Sequence, residues 1–323
     1  MNLLLQARDN FYYFIGIMFN IKNNIIKLIY MDYSNNKFIR KNNKNYPVYK
    51  TDFKFKQYRN LKPNDYKKGI IIDDDMDTIS YRMKECKESN YTSLDLSNLN
   101  LKELPDIIPK NIKYLFISNN KLTSLKKLAN LKHLEVLDCS SNKLTSLKYI
   151  PNTTELNCRN NLLLGLDNLI NCNRLTKLDC SHNNIHNIIP INSLRIIECS
   201  NNKLKKLPYF PKVEKVICRY NEIVELDNYN NLKYLDCKYN LIKKINNQPN
   251  LLELYCDHNK IKRIKNLPFL KVLHCYKNKL KELSYFKNLK EVICDSEKIM
   301  KIGKDYIVLN ANQYDKKLCM HFK

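Results

Sequence analysis

From about residue 91 to residue 302 the apolar and polar positions of the chain repeat one phrase. "LEVLDCSSNKLTSL" from Leu134, "LTKLDCSHNNIHNI" from Leu175 and "LRIIECSNNKLKKL" from Leu194 share it. So do "LKYLDCKYNLIKKI" from Leu232, "LLELYCDHNKIKRI" from Leu251 and "LKVLHCYKNKLKEL" from Leu270. With Ile standing in for Leu, all read L-x-x-L-x-C-x-x-N-x-L-x-x-L. The Asn recurs at Asn120, Asn142, Asn161, Asn183, Asn202, Asn221, Asn240, Asn259 and Asn278, at intervals of 22, 19 and 22 residues and thereafter 19. Degenerate copies flank the series, with Leu99 and Glu297 in the Asn slot, giving eleven repeats.

The L-x-L or L-x-C alternation puts one side chain inward and the next outward, the pattern of a strand. One repeat cannot bury its own apolar side, so stacking must supply the core, each repeat adding one short parallel strand. The Asn falls where the chain turns away from the sheet and leaves backbone groups buried. An amide carries both donors and an acceptor, so nine of them can stack as a ladder. Nineteen residues leave no room for a helix opposite each strand, and the return side is expected to be extended or 3₁₀. Pro105, Pro109, Pro151, Pro208, Pro211, Pro249 and Pro268 fall there, where a fixed φ is tolerated. The two 22-residue repeats have room for a short helical turn. The expected fold is mainly β: a curved parallel-sheet solenoid with a helical N-terminal cap.

Eleven copies in phase, with this Leu, Cys and Asn spacing, resemble the leucine-rich repeat family. The match covers about two-thirds of the chain. The entry segment "MKECKESNYTSLDLSNLNLKELPDIIPKNIKYLFISNNKLTSL" is similar to the short-repeat subclass of bacterial effector proteins. Together with the richness in Asn, Lys and Ile, it also resembles leucine-rich repeat proteins of giant DNA viruses of amoebae. The family resemblance implies a non-catalytic protein-interaction scaffold; the effector likeness offers an adaptor that recruits a host enzyme as an alternative.

Twelve cysteines raise the question of disulfides or zinc. Nine share one repeat slot: Cys139, Cys158, Cys180, Cys199, Cys218, Cys237, Cys256, Cys275 and Cys294, where Leu96 and Ile117 stand in the first two repeats. The slot wants a small apolar residue, and buried Cys behaves as one. No C-x-x-C occurs, and a straight row of thiols cannot enclose a tetrahedral metal. Strands about 4.8 Å apart with parallel Cβ vectors do not meet disulfide geometry. A row of free thiols points to a reducing, intracellular compartment, the host cytoplasm for a viral protein. The four glycines stand singly, which excludes a Walker A loop or a dinucleotide fingerprint. No cofactor, metal or catalytic residue is expected.

The residues on either side of the Cys slot should face outward on the concave side. They hold seven acidic and three basic residues, a mildly acidic face on a chain of net charge +24. A duplex-binding groove would show the opposite balance. The second half of this face carries Arg219, Tyr220, Lys238, Tyr239, Tyr255, His258, His274 and Tyr276. Tyr and Arg combine large buried area with a polar tip and are enriched at interfaces, so this cluster is the expected partner site. The rival reading is that tyrosines are abundant here, 22 in all, and these are ordinary exposed side chains. His274, Asp236 and Tyr255 share a column, but no nucleophile stands beside a base in a recognisable motif.

Residues 1–72 do not repeat and form an expected N-terminal extension. The apolar run "FYYFIGIMFNI" (11–21) is too short to span a membrane and is read as a buried strand or helix. Residues 31–70 interleave cations with aromatics, the composition of a nucleic-acid contact, although "YKTDFKFKQY" also alternates like a hairpin. Residues 73–90, with "DDDMDTISYRMKECKE", are expected to form an acid-started helix capping the open sheet. Residues 303–323 should close the other end. The expected partner is an unidentified protein, with nucleic acid through 31–70 as the alternative.

Overall fold

The computed structural model describes residues 16–20, 25–29, 78–88, 90–295 and 307–310. The chain divides into two units, Met1–Lys54 and Phe55–Lys323. In the first, Gly16–Asn20 pairs antiparallel with Ile25–Ile29, so the apolar run contributes a strand. The cation- and aromatic-rich segment 31–70 lies outside the described residues.

The second unit is the solenoid. Its sheet holds twelve parallel strands in chain order, from Ser93–Asp95 through Glu291–Cys294 to Ile307–Asn310. The first eleven strands each belong to one repeat. Register is kept from strand to strand, with Leu235 between Val216 and Leu254, for example. Each turn sends its apolar slots into one continuous core. In the turn from Leu194 to Phe210, residues Leu194, Ile197, Cys199, Leu204, Leu207 and Phe210 are all buried.

The return side is extended with 3₁₀ insertions. Two 3₁₀ turns among the described residues, Lys126–Leu128 and Asp167–Leu169, fall in the two 22-residue repeats, where three extra residues supply them. Lys244–Asn246 and Arg263–Lys265 pair in parallel as a second, two-stranded sheet. Cys172, which the repeat phrase leaves unassigned, fills the return-side slot held by Phe210 and Tyr229 in later repeats.

A helix, Thr78–Glu88, packs against the first strand of the sheet, with Cys86 buried and Met83 against the core. Of the acid-started helix expected over 73–90, Thr78–Glu88 is helical. The described helix starts at Thr78 and has no acidic residue in its first turn; residues 73–77 lie outside the described residues. Among the described residues its attachment comes from apolar burial and from the Tyr91 N–H donated to the Cys86 carbonyl at 2.8 Å.

Two polar residues occupy apolar slots, with opposite consequences. Gln248 is buried where its neighbours have Tyr229 and Leu267, and its amide is used: Oε1 accepts the Tyr229 N–H at 3.0 Å and Nε2 donates to the Asp227 carbonyl at 2.8 Å. Thr153 is fully buried in the slot that Leu134 and Leu175 fill, and its hydroxyl meets no hydrogen-bond partner. Burying a hydroxyl without a bond costs about 1–3 kcal/mol. Thr153→Val, which swaps the hydroxyl for a methyl group, is expected to raise stability by about 1 kcal/mol in a urea titration. An unchanged or lower midpoint would show that the hydroxyl is satisfied in solution.

Candidate interaction face and rim

The nine Asn side chains of the repeat phrase make the same bonds rung after rung. Asn240 Oδ1 accepts the Ile223 N–H at 3.0 Å, while Nδ2 donates to the carbonyls of Cys218 at 2.9 Å, Cys237 at 3.1 Å and Lys238 at 3.2 Å. Asn142, Asn161, Asn183, Asn202, Asn221, Asn259 and Asn278 repeat this set. At the entry, Asn120 serves both the Leu99 and Leu101 N–H groups. Each amide therefore joins its own turn to the previous one.

Beside this buried ladder runs a second one at the rim, in the slot just before each Asn. Asn98, Asn119, Ser141, Asn160, His182, Asn201, Tyr220, Tyr239, His258 and Lys277 all have φ between 52° and 63°. Such left-handed backbone suits Asn and penalises bulky residues. In the first half the rim residues join by hydrogen bonds, Asn119 to Asn98 at 2.5 Å and Asn160 to Ser141 at 3.1 Å. Asn201 continues this to the His182 ring at 3.1 Å. In the second half rings replace amides. Tyr220 stacks on Tyr239 with centroids 4.3 Å apart, Tyr239 on His258 at 4.1 Å, and His258 meets Tyr276 edge-on at 5.3 Å. Tyr220 is 49% exposed and Tyr239 36%. Their ring faces are shared with each other, so the strip offers edges and hydroxyls outward.

The strand face beside the rim is different from the exposed cluster expected there. Tyr255 is only 6% exposed and His274 4%. Tyr255 is held by the Lys238 ammonium 5.1 Å above its ring, by the edge of His274 at 4.6 Å and by its hydroxyl on Glu253 at 3.0 Å. His274 Nε2 lies 3.1 Å from Glu291 Oε1. These two residues belong to the packing of the face and not to its contact surface. The charges between them pair across turns: Arg219 with Asp236 at 2.5 Å and Lys238 with Asp257 at 3.1 Å, both carboxylates fully buried. Burial pushes the Asp257 carboxyl up to about 6 despite the pull of Lys238. Burial also holds the His274 imidazole, with Lys238 nearby, below its ordinary value. For Lys238 burial acts downward, but Asp236 and Asp257 outweigh it and the net shift is up.

The acidic column at the start of the face also has a local use. Asp95, Asp138 and Asp179 each accept the backbone N–H two residues on, at 2.9, 3.1 and 2.9 Å, as Asn and Asp do in turns.

Comparison with known proteins agrees with this geometry. Residues 110–152 match a family model described as leucine-rich repeats in two copies. A leucine-rich repeat protein of Leptospira interrogans is 25% identical, with a TM-score of 0.54 over 62% of this chain and 61% of its own. YopM, a leucine-rich effector protein of Yersinia pestis, is 23% identical, with a TM-score of 0.54 over 66% of this chain and 69% of its own. The leucine-rich repeat protein FLRT2, solved in an octameric complex with latrophilin 3 and Unc5D, is 16% identical, with a TM-score of 0.55 over 70% and 78%. Residues 110–152 thus carry leucine-rich repeats, and the chain has the leucine-rich repeat fold. No curated protein sequence matches it.

In this leucine-rich repeat solenoid the nine row cysteines are free thiols in the core, and burial raises the pKa of every one. No group of three or more His, Cys, Asp or Glu side chains among the described residues is placed to hold a metal ion. No described helix is long and apolar enough to cross a membrane. The rim column was the feature missed from sequence, although it left a signal. Asn, after Gly the residue most tolerant of left-handed backbone, precedes the ladder Asn, or its equivalent Leu99 in the first repeat, at Asn98, Asn119, Asn160 and Asn201.

Proposed function

We propose that this protein is a non-catalytic scaffold that binds a protein partner along the rim and adjoining face of its C-terminal repeats. The observation that carries this reading is the strip Tyr220, Tyr239, His258 and Tyr276, four rings in continuous contact at a partly exposed edge. Rings already stacked are preorganised, so little side-chain entropy is lost when they are covered. Tyr also supplies apolar area and a hydrogen-bonding hydroxyl together, the mixture favoured at binding hot spots. Three of the strip's residues, Tyr220, Tyr239 and His258, hold left-handed backbone while carrying rings, a cost that folding alone gives no reason to bear. The assembly of FLRT2 with two other proteins is a property of that protein; it supports a binding role for the shared fold. The row of buried thiols supports a reducing compartment as the place of action.

The test is co-purification from cells with and without nuclease, comparing the wild type with the triple variant Tyr220→Ser, Tyr239→Ser, Tyr276→Ser. A nuclease-resistant partner captured by the wild type and lost, by tenfold or more, in a folded triple variant is the expected result. Capture that nuclease abolishes and the variant retains would overturn the proposal.

A further inference from the structure

A groove of about 660 Å³ lies along the edge where the chain enters the strands, at the opposite end of each strand from the aromatic rim. It crosses five consecutive turns, from Arg195 to Phe269. Four inter-strand steps make about 19 Å, the reach of about six extended residues. Its two ends differ in chemistry. Arg195, Lys212 and Lys233 line one end, and Leu252 and Phe269 the other. Phe269 is 52% exposed, although the same position is Asn in the turns on either side. The acid within the groove, Glu214, is already engaged. Its carboxylate accepts from Arg195 Nε at 2.7 Å, from Arg195 Nη2, and from Lys233 Nζ at 2.9 Å. The Lys233 and Arg195 bonds hold its pKa below the ordinary carboxylate value. Glu214 thus fixes two cations from turns on either side of its own. A guanidinium has five N–H donors and an ammonium three, so both retain donors beyond those given to Glu214.

We infer that this groove is a second docking surface, taking an extended acidic segment of a protein partner with a large apolar side chain about six residues from the carboxylate that meets Arg195. Carboxylates seat against Arg195, Lys212 and Lys233 through charge-assisted bonds, and the apolar side chain covers Phe269 and Leu252. A nucleic acid fits less well. It would carry phosphates the full length of the groove, and the far half offers no cation among its lining residues.

The probe is a fluorescent peptide, acetyl-Glu-Glu-Glu-Gly-Ser-Gly-Leu-Phe-amide, titrated into the full chain and followed by anisotropy. Lys212→Glu and Phe269→Ala are the test variants, both at exposed positions where folding should persist. Lys203→Glu, on the far side of the Asn ladder, reverses the same charge elsewhere. The expected result is saturable binding, weakened at least tenfold by Lys212→Glu and about threefold by Phe269→Ala, with Lys203→Glu within twofold of wild type. Equal weakening by Lys212→Glu and Lys203→Glu would show attraction to bulk charge and overturn the inference. So would absent binding, or a decathymidylate that competes for Lys212 with no dependence on Phe269.

Discussion

Asn240→Ala is expected to cost about 3 kcal/mol, measured as the loss in unfolding free energy in urea. The substitution strands the Ile223 N–H and takes a donor from the carbonyls of Cys218, Cys237 and Lys238. Each buried group left without a partner costs about 1–3 kcal/mol. The site lies mid-solenoid, where each turn is stabilised through the interfaces with its neighbours, so the loss falls on two interfaces. Asn278→Ala, at the more exposed end of the ladder, should cost clearly less. Asn240→Asp sharpens the test, since it keeps the acceptor and replaces the donors with a second oxygen facing three carbonyls. At neutral pH it should be worse than Ala, and it should recover as acid protonates it. Equal losses at 240 and 278 would mean the amides act one by one and not as a ladder.

Lys238→Ala is the second large effect. It leaves Asp257, fully buried, without its ammonium at 3.1 Å, and breaking one side of a buried pair costs about 3–5 kcal/mol. The loss should depend on pH with a definite sign. In the native protein Asp257 titrates near 6, above its ordinary 3.8. A raised carboxyl pKa means the fold favours the protonated form. This group's contribution is therefore complete below about pH 4 and is lost as pH rises through about 6. Without Lys238 the pKa rises further, so the decline becomes deeper and runs to higher pH. Asp257→Asn in the Lys238→Ala background removes the charge and should flatten that part of the profile, because an amide can still accept the Tyr276 N–H that Asp257 accepts at 3.1 Å. A variant pair with superimposable profiles between pH 5 and 8 would contradict the assignment.

The parts of this molecule visible in its sequence are those set by local period. Leu, Cys and Asn recur at fixed intervals because each occupies the same point of every turn, so the strands, the amide ladder and the thiol row follow from spacing alone. The 3₁₀ turns follow too, from the three extra residues in two repeats. Exposure on the strand face was less legible. Tyr255 and His274 occupy outward positions by alternation, yet neighbours 17 to 21 residues away in sequence close over them. The pairing of Arg219 with Asp236, and Lys238 with Asp257, depends likewise on lateral register between turns. The rim depends on the sign of a backbone dihedral, and Tyr220, Tyr239 and His258 conceal it because rings seldom adopt left-handed backbone. The groove from Arg195 to Phe269 collects two residues or fewer from each turn and has no contiguous motif.

The most direct test of the binding role is site-specific photocrosslinking in cells. A benzophenone side chain would be placed at Tyr239 on the rim and, in a second protein, at Arg263 on the return-side sheet. The account predicts a discrete, nuclease-resistant protein adduct from position 239 and none of that mass from position 263. The same adduct from 263 with none from 239, or a nuclease-sensitive adduct from either, would contradict it.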